Sequence, residues 1–529
     1  MSHPPTPAPS TPSASTAPPP LHGGALLLGT LSLSLATFMN VLDSSIANVS
    51  IPAISGDLGV SPSQGTWVIT SFGVANAISV PLTGWLTQRF GAVRLFVTSV
   101  LLFVLTSWLC GFAPSLEALV FFRVLQGLVA GPMIPLSQTL LLSSYPPTKS
   151  GMALALWGMT TLVAPVVGPL LGGWITDHIS WPWIFYINVP VGLTAAALTW
   201  GIYRQRETPK RKLPIDSFGL VLLVLWVGAL QLMLDKGKEL DWFASGEIVT
   251  LAVVAAIAFA VFVVWELTDN HPVVDLRLFK GRNFSFGALA LSVAYGVFFG
   301  NVVLMPLWLQ QWMGYTATTA GMALAPVGLL AILLTPLIGK KVNVWDPRRI
   351  ATLAFIGFAF VLWLRAQFTT QTDLWHILVP TLLQGAAMAM FFIPLTTLTL
   401  AGIGPARIPS AAGLSNFTRI TAGAMGTSIA TTVWDSRAAL HHAHLSEGLV
   451  QGQGVFGQTV QGLQASGLST EQALAQINRL IDQQAYTRAA DDVFIASSGI
   501  FIVLIALIWL TQRPSPQRGA AAADTGGAH

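Results

Sequence analysis

The sequence predicts an all-α polytopic membrane protein with two six-helix bundles plus two extra central helices, fourteen spans in all. Three observations predict it. Only 9% of the 529 residues are charged, while 53% are hydrophobic, against about 25% charged in soluble globular chains. Apolar runs of about 20 residues recur along the chain, the length that crosses a bilayer as a helix, and the period-2 pattern of a membrane β-barrel is absent. The chain also repeats itself at an offset near 258 residues. So few charges could not cover a soluble fold, and so apolar a chain is not a disordered one.

The elements follow in order. Residues 1–24, rich in Pro, Ser, Thr and Ala, read as a disordered cytoplasmic tail. No basic segment precedes the first apolar run and no cleavage pattern follows it, so that run reads as a retained span. Six spans near 25–50, 66–88, 93–113, 117–142, 151–175 and 183–203 form an N-terminal bundle, 25–203. A linker, 204–282, carries two more near 216–234 and 246–267. The C-terminal bundle, 283–512, holds six near 284–310, 318–339, 348–366, 375–401, 409–434 and 493–512. Before the last of these lies an extracytoplasmic loop, 437–492, rich in Gln and Gly. Its later part shows helical spacing at Ala473, Ile477, Leu480 and Ile481. It reads either as a surface flap or as a gate or docking surface for a partner. Residues 513–529 form a second cytoplasmic tail.

Charge bias sets the orientation. With a cytoplasmic N-terminus, eighteen Lys and Arg residues fall on the inside and six in outside loops, and Arg123 and Arg419 fall within spans. An odd number of spans would break that alternation, so both ends are expected in the cytoplasm. The net charge of +4 reflects this bias and not a nucleic-acid surface. The one cysteine, Cys110, allows no intramolecular disulfide.

The repeat is visible residue by residue. Pro81-Leu82-Thr83-Gly84 returns as Pro336-Leu337-Ile338-Gly339, and Leu125-Gln126-Gly127 as Leu383-Gln384-Gly385. Pro135-Leu136 returns as Pro394-Leu395, and Gly168 matches Gly426. Parallel six-helix halves are a transporter architecture.

Charges within spans cost about 2.5–3.5 kcal/mol each, so Asp43 in span one and Arg123 in span four stand out. Both fall in the outer half of their spans, at similar depth. They read either as a buried ion pair that fixes packing or as a protonatable carboxylate with a basic partner. A buried carboxylate favours its protonated form, and a guanidinium beside it opposes that. A movement that separates the two would favour proton uptake. One charge moving through 100 mV yields about 2.3 kcal/mol, enough for a gradient of nearly 50-fold (about 1.4 kcal/mol per tenfold) in a neutral substrate.

Gly168, Pro169 and Gly172 in span five allow close helix approach and bending, as packing or as a hinge. Gly84, Arg89, Gly91 and Arg94 form a basic turn between spans two and three. Asn48, Trp67, Asn76, Asn301 and Asn416 are candidates to line a substrate cavity, or to bond neighbouring helices. An enzyme is not expected. No G-x-x-x-x-G-K-[ST] loop occurs, since Gly237-Lys238 is followed by Glu239 and Gly339-Lys340 by Lys341. No metal site is expected either. H-E-x-x-H and paired C-x-x-C motifs are absent, and His441, His442 and His444 lie together in a polar loop.

Four of these motifs resemble a known family. Leu42-Asp43-Ser44-Ser45-Ile46-Ala47-Asn48-Val49 resembles the first-span motif of the fourteen-span drug:proton antiporters of the major facilitator superfamily. The stretch from Gly84 to Arg94 resembles the superfamily's motif between spans two and three, and Arg123-Val124-Leu125-Gln126-Gly127 its span-four motif. Gly168-Pro169-Leu170-Leu171-Gly172-Gly173 resembles the antiporter motif of span five. Residues 65–77, 265–269 and 414–419 are similar to multidrug exporters of the EmrB type within this branch. The likeness runs from about residue 25 to 512.

The resemblance implies the major facilitator fold and rocker-switch export of hydrophobic toxic compounds, driven by proton entry. It implies proton coupling at Asp43 and Arg123, and control of transport direction at Gly168 and Pro169. It implies no cofactor, the proton being the coupling ion. As partners it implies hydrophobic small-molecule drugs, the lipid bilayer, a periplasmic adaptor of the EmrA type and an outer-membrane channel of the TolC type. The place is then a bacterial inner membrane. One departure is Gln88, where the family's loop commonly has an acid. Two alternatives stand beside this reading: a dedicated exporter of one natural product or siderophore, and a membrane receptor or sensor for hydrophobic ligands. The repeat argues against the receptor, because pseudo-symmetry serves alternating access.

Overall fold

A backbone in hydrocarbon finds no water, so each crossing segment must satisfy its own N–H and C=O groups, and helices result. The computed structural model describes residues 19–60, 62–210, 214, 216–269, 272–342, 344–451 and 453–513. The expected tails, 1–24 and 513–529, fall largely outside these residues. Among the described residues no strand occurs.

The first half holds α1 (Gly23–Asp57), α2 (Trp67–Phe90), α3 (Ala92–Gly111), α4 (Leu116–Ser144), α5 (Ser150–His178) and α6 (Trp183–Tyr203). Two inserted helices follow, α7 (Ser217–Lys236) and α8 (Gly246–Thr268). The second half holds α9 (Arg282–Gln311), α10 (Thr319–Lys341), α11 (Pro347–Arg365), α12 (Leu374–Leu400), α13 (Ile408–Gln451), the short α14 (Gln453–Ala465) and α15 (Thr470–Trp509). Among the described residues, twelve helices are long and apolar enough to cross a membrane. The other two expected spans, 151–175 and 409–434, correspond to α5 and α13, of 29 and 44 residues. Both run along the seam between the halves, α5 against α10 and α13 against α2 and α4.

Each half has its own apolar core. Phe96, Phe103, Met133 and Leu136 centre the first. Phe298, Phe355, Phe358, Phe391 and Phe501 centre the second, with Phe358 and Phe501 stacked at 4.9 Å. The inserted pair is central in the chain but peripheral in space. Leu222, Leu223 and Trp226 of α7 pack against Ile78 and Val80 of the first half and Leu414 and Phe417 of the second. The far side of α8 exposes Val253, Ile257, Val261 and Val264, a surface suited to lipid.

One repeated pair of glycines, Gly84 and Gly339, marks where the halves meet. A Cβ at Gly84 would lie 2.8 Å from the Cα of Ser410 on α13. A Cβ at its counterpart Gly339 would lie 2.7 Å from the Cβ of Ala155 on α5. Thus α2 crosses α13 and α10 crosses α5 in equivalent ways, and side chains larger than hydrogen would push the halves apart.

The stretch 437–492, expected as a loop, is mostly helical. Helix α13 continues to Gln451, and α15 begins at Thr470, far ahead of its expected start near 493. Ser469 caps it: its Oγ accepts from the Gln472 N–H (3.2 Å), and the Gln472 side chain accepts from the Ser469 N–H (2.9 Å). The polarity here reflects exposure beyond the apolar part of the bundle, since Gln, Ala, Leu and Arg are good helix formers. The spacing noted from Thr470 appears in part, with Ala473 and Ile477 buried, Ile481 half-buried and Leu480 exposed.

At Gly426 an added methyl would come within 2.6 Å of the Cα of Gly296, whereas at Gly158 nothing lies within 4 Å. Gly426→Ala is therefore expected to cost about 1–3 kcal/mol by overpacking, and Gly158→Ala close to nothing. Thermal unfolding of the two variants in detergent measures the difference.

Candidate functional site

The first half is organised around one ion pair. Asp43 projects from α1 and Arg123 from α4, both fully buried. Helix α4 starts at Ser115, whose hydroxyl accepts from the Ala118 N–H at 3.3 Å, and this fixes the register that carries Arg123 inward two turns later. Arg123 Nη1 lies 2.5 Å from Asp43 Oδ2 and 2.7 Å from Gln126 Oε1, and Arg123 Nε donates to the Val68 carbonyl at 2.9 Å. Asp43 Oδ1 accepts from Asn188 Nδ2 (2.8 Å) and Gln126 Nε2 (3.3 Å). Both amides also donate to Ser107 Oγ. The Phe72 ring lies 4.2 Å from the guanidinium carbon and the Phe185 ring 5.5 Å. Five helices of the half meet at this node: α1, α2, α3, α4 and α6.

Helix α5 joins it from behind. A Cβ at Gly168 would meet the Cβ of Ser45 at 2.6 Å, and one at Gly172 the carbonyl of Ile46 at 2.9 Å. The four-residue spacing puts both glycines on one face, so α5 lies against the turn of α1 just after Asp43. The side chain of Pro169 lies outside the described residues.

The second half carries a counterpart with an arginine but no carboxylate among the described residues. Shifting the node by 258 residues turns Asp43 into Asn301, Ser107 into Arg365, Arg123 into Thr381 and Gln126 into Gln384. Arg365 Nη2 donates to Gln384 Oε1 at 2.6 Å and Thr381 Oγ1 at 3.3 Å. Asn301 Nδ2 donates to Ser497 Oγ at 3.0 Å. The same offset that revealed the repeat would have located this second node, which sequence reading passed over.

At the expected basic turn, Gly91 has φ +90° and ends α2, its N–H donating to the Thr87 carbonyl at 2.8 Å. The acid at this turn is Glu207, after α6. Its carboxylate accepts from the N–H groups of Val93 (3.0 Å) and Arg94 (2.9 Å) at the start of α3, where the helix dipole favours an anion. The Arg94 side chain approaches it at 3.9 Å. Arg89 sits in the last turn of α2.

The five cavity candidates separate. Asn416 lines a cavity at the seam with Gln138 and Trp157 of the first half and Leu291, Thr396, Leu400, Ala412, Ser415 and Arg419 of the second. Asn416 Nδ2 donates to Gln138 Oε1 at 3.0 Å, and Arg419 Nη2 to Asn416 Oδ1 at 2.6 Å. Trp67 instead packs on the inserted pair, its ring 4.7 Å from Lys236 Nζ. Asn301 bonds Ser497 and the Val297 carbonyl of its own helix. Asn48 is exposed and reaches only its own helix, the Ser44 carbonyl at 3.4 Å. Asn76 is half-buried. The polar cavity is small, about 10 Å³, roughly one water. An apolar one of the same size lies between Met159 and Val163 of α5 and Val327, Ala331 and Thr335 of α10. His441 and His442 are drawn toward carboxylates, Asp492 at 2.7 Å and Asp482 at 3.9 Å. Among the described residues no group of three metal-ligating side chains forms.

Two helical halves, each with its own core, a seam of close backbone contacts between them and one buried ion pair define a multi-pass membrane transporter. The chain belongs to the Major Facilitator Superfamily, whose profile matches residues 33–427. It is 51% identical to the multidrug export protein EmrB of Escherichia coli over 96% of this chain and 99% of that one. It is 50% identical to the fatty acid resistance protein FarB of Neisseria gonorrhoeae over 94% and 98%. The human organic anion transporter TETRAN shares the fold, with a TM-score of 0.58 at 13% identity over 92% of this chain and 98% of that one.

Removing one partner of a buried ion pair leaves an uncompensated charge, which costs about 3–5 kcal/mol. Arg123→Gln is expected to destabilise the protein by that amount. Adding Asp43→Asn to it should restore most of the loss. A double-mutant cycle from unfolding measurements in detergent gives the coupling.

Proposed function

We propose that this protein is a proton-driven secondary exporter, a drug:proton antiporter that expels hydrophobic toxic compounds by alternating access. The buried Asp43–Arg123 pair carries the reading. Its carboxylate has a single cationic partner, and it sits one turn from the Gly168 and Gly172 contact with α5, a helix that also lines the seam. A rocking motion transmitted along α5 would therefore act on α1 beside Asp43. Separation from Arg123 favours protonation, and return of the guanidinium favours release. The likeness to proteins named for multidrug export supports hydrophobic drugs as the cargo.

Gly168, Pro169 and Gly172 serve in this reading as the hinge that sets direction. Gly84, Arg89, Gly91 and Arg94 serve as the turn that closes the proton-release side. The protein lies in the inner membrane with both termini in the cytoplasm, as the Lys and Arg bias supports. The helical extension of α13 and α15 then projects into the periplasm, where it offers a surface to an adaptor of the EmrA type leading to an outer channel of the TolC type.

The test is drug uptake into energised inverted vesicles, where export points into the lumen, with and without a protonophore, for wild type and Asp43→Asn. Export should collapse with the protonophore, and the variant, compared with wild type at equal amounts of folded protein, should lose gradient-driven export. Export that survives the protonophore overturns proton coupling. Export that survives only the mutation moves the proton site away from Asp43.

A further inference from the structure

The seam holds a cation that the proton node does not use. Arg419 is 4% exposed. Its guanidinium carbon lies 4.8 Å from the Tyr295 ring, 5.6 Å from Phe392 and 5.7 Å from Trp157. It donates a hydrogen bond to Asn416. Among the described residues no carboxylate pairs with it.

The chain contains three buried arginines among its described residues, at 123, 365 and 419. Arg123 has its carboxylate. Arg365 is enclosed within one half, bonded to two side chains of α12. Arg419 alone of the three lines a cavity to which both halves contribute. The other polar groups of that cavity, Gln138, Thr396, Ser415 and Asn416, are neutral. Its walls are Trp157, Leu291 and Leu400. Aromatic faces offset part of the cost of a buried cation, but they satisfy neither its charge nor its planar fork of donors.

We infer that Arg419 is the recognition point for an anionic group, a carboxylate above all, on an otherwise hydrophobic substrate. The inference rests on the exporter reading, in which the seam is the substrate path. When the halves part, the Gln138–Asn416 bond across the seam breaks. Asn416 and the guanidinium then face the opened space together, as paired donors for two carboxylate oxygens. Trp157, Tyr295 and Phe392 offer flat apolar surface to the body of the ligand. Asp43 lies inside the first half and Arg419 at the seam, so cargo charge and coupling proton are read at separate places.

The test is equilibrium binding to the full chain in lipid nanodiscs, with empty nanodiscs subtracted. The probes are pyrenebutyrate and its uncharged analogue pyrenebutanol. Wild type is expected to prefer the carboxylate by about tenfold or more, the worth of one charge-assisted hydrogen bond. Arg419→Gln should remove that preference while binding the alcohol within about twofold of wild type. Arg419→Lys should retain much of it. Equal binding of both probes by wild type overturns the inference, and that comparison needs no variant to fold. A carboxylate preference that survives Arg419→Gln also overturns it. Because no gradient is applied, binding is independent of transport. Carboxylate binding without export counts against the exporter reading alone, and export without the preference counts against Arg419 alone.

Discussion

A charge inside a membrane-spanning bundle cannot turn to water, and the Asp43–Arg123 pair is where this chain meets that constraint. An unpaired carboxylate there costs several kcal/mol, and the Arg123 guanidinium offsets that cost. The surrounding residues follow from the pair. Gln126 and Asn188 supply neutral donors to the second carboxylate oxygen, and Val68 gives up a backbone carbonyl to Arg123. Phe72 and Phe185 face the guanidinium. Each contact comes from a different helix or turn, so the demands of two charges fix the relative placement of five helices. The same density makes the node responsive, because a shift of any one helix changes the company of the carboxylate.

The two halves share a backbone plan but not a chemistry. The matched glycines lie at equivalent crossings, Gly84 on α13 and Gly339 on α5, because close approach depends on the absence of a side chain and tolerates little drift. At the polar nodes the match is positional only. Asn301 stands where Asp43 does, and the arginine has moved from α4 in one half to α11 in the other. At these two positions only the first half carries a carboxylate, so Arg123 is paired with an acid while Arg365 has neutral acceptors.

Much of this was legible in the sequence, for physical reasons. Span positions follow from apolar length, and Asp43 and Arg123 announce themselves because charges in spans are costly. Their pairing was readable from depth alone. What escaped had no such signal. The 437–492 helices are largely polar, so periodicity gave only a short stripe, Ala473, Ile477, Leu480 and Ile481, of which Leu480 is exposed. Asn48, Trp67 and Asn301 looked like lining residues because an amide or indole in a span serves packing and binding equally well. Arg419 was visible as a second arginine within a span, but its meaning depends on which half faces it, and that is a tertiary fact.

The inserted pair constrains how such halves could separate. Between helices in a membrane there is no hydrophobic drive, since lipid is as apolar as a leucine side chain. Seam contacts such as Gly339 on Ala155 therefore hold by packing alone and can part at modest cost. The α2–α13 side differs, because α7 bridges it. Asp235 accepts from Thr70 of α2 and Lys236 stacks on Trp67. Close by, Ser428 of α13 donates to the Leu234 carbonyl at 2.8 Å, Trp242 donates to Thr432 at 3.0 Å, and Lys238 pairs with Asp435 at 2.8 Å. At that end of the bundle the α2–α13 side is fastened by side-chain hydrogen bonds through a third element. Any separation of α2 from α13 at that end must therefore break these polar contacts as well as the packing.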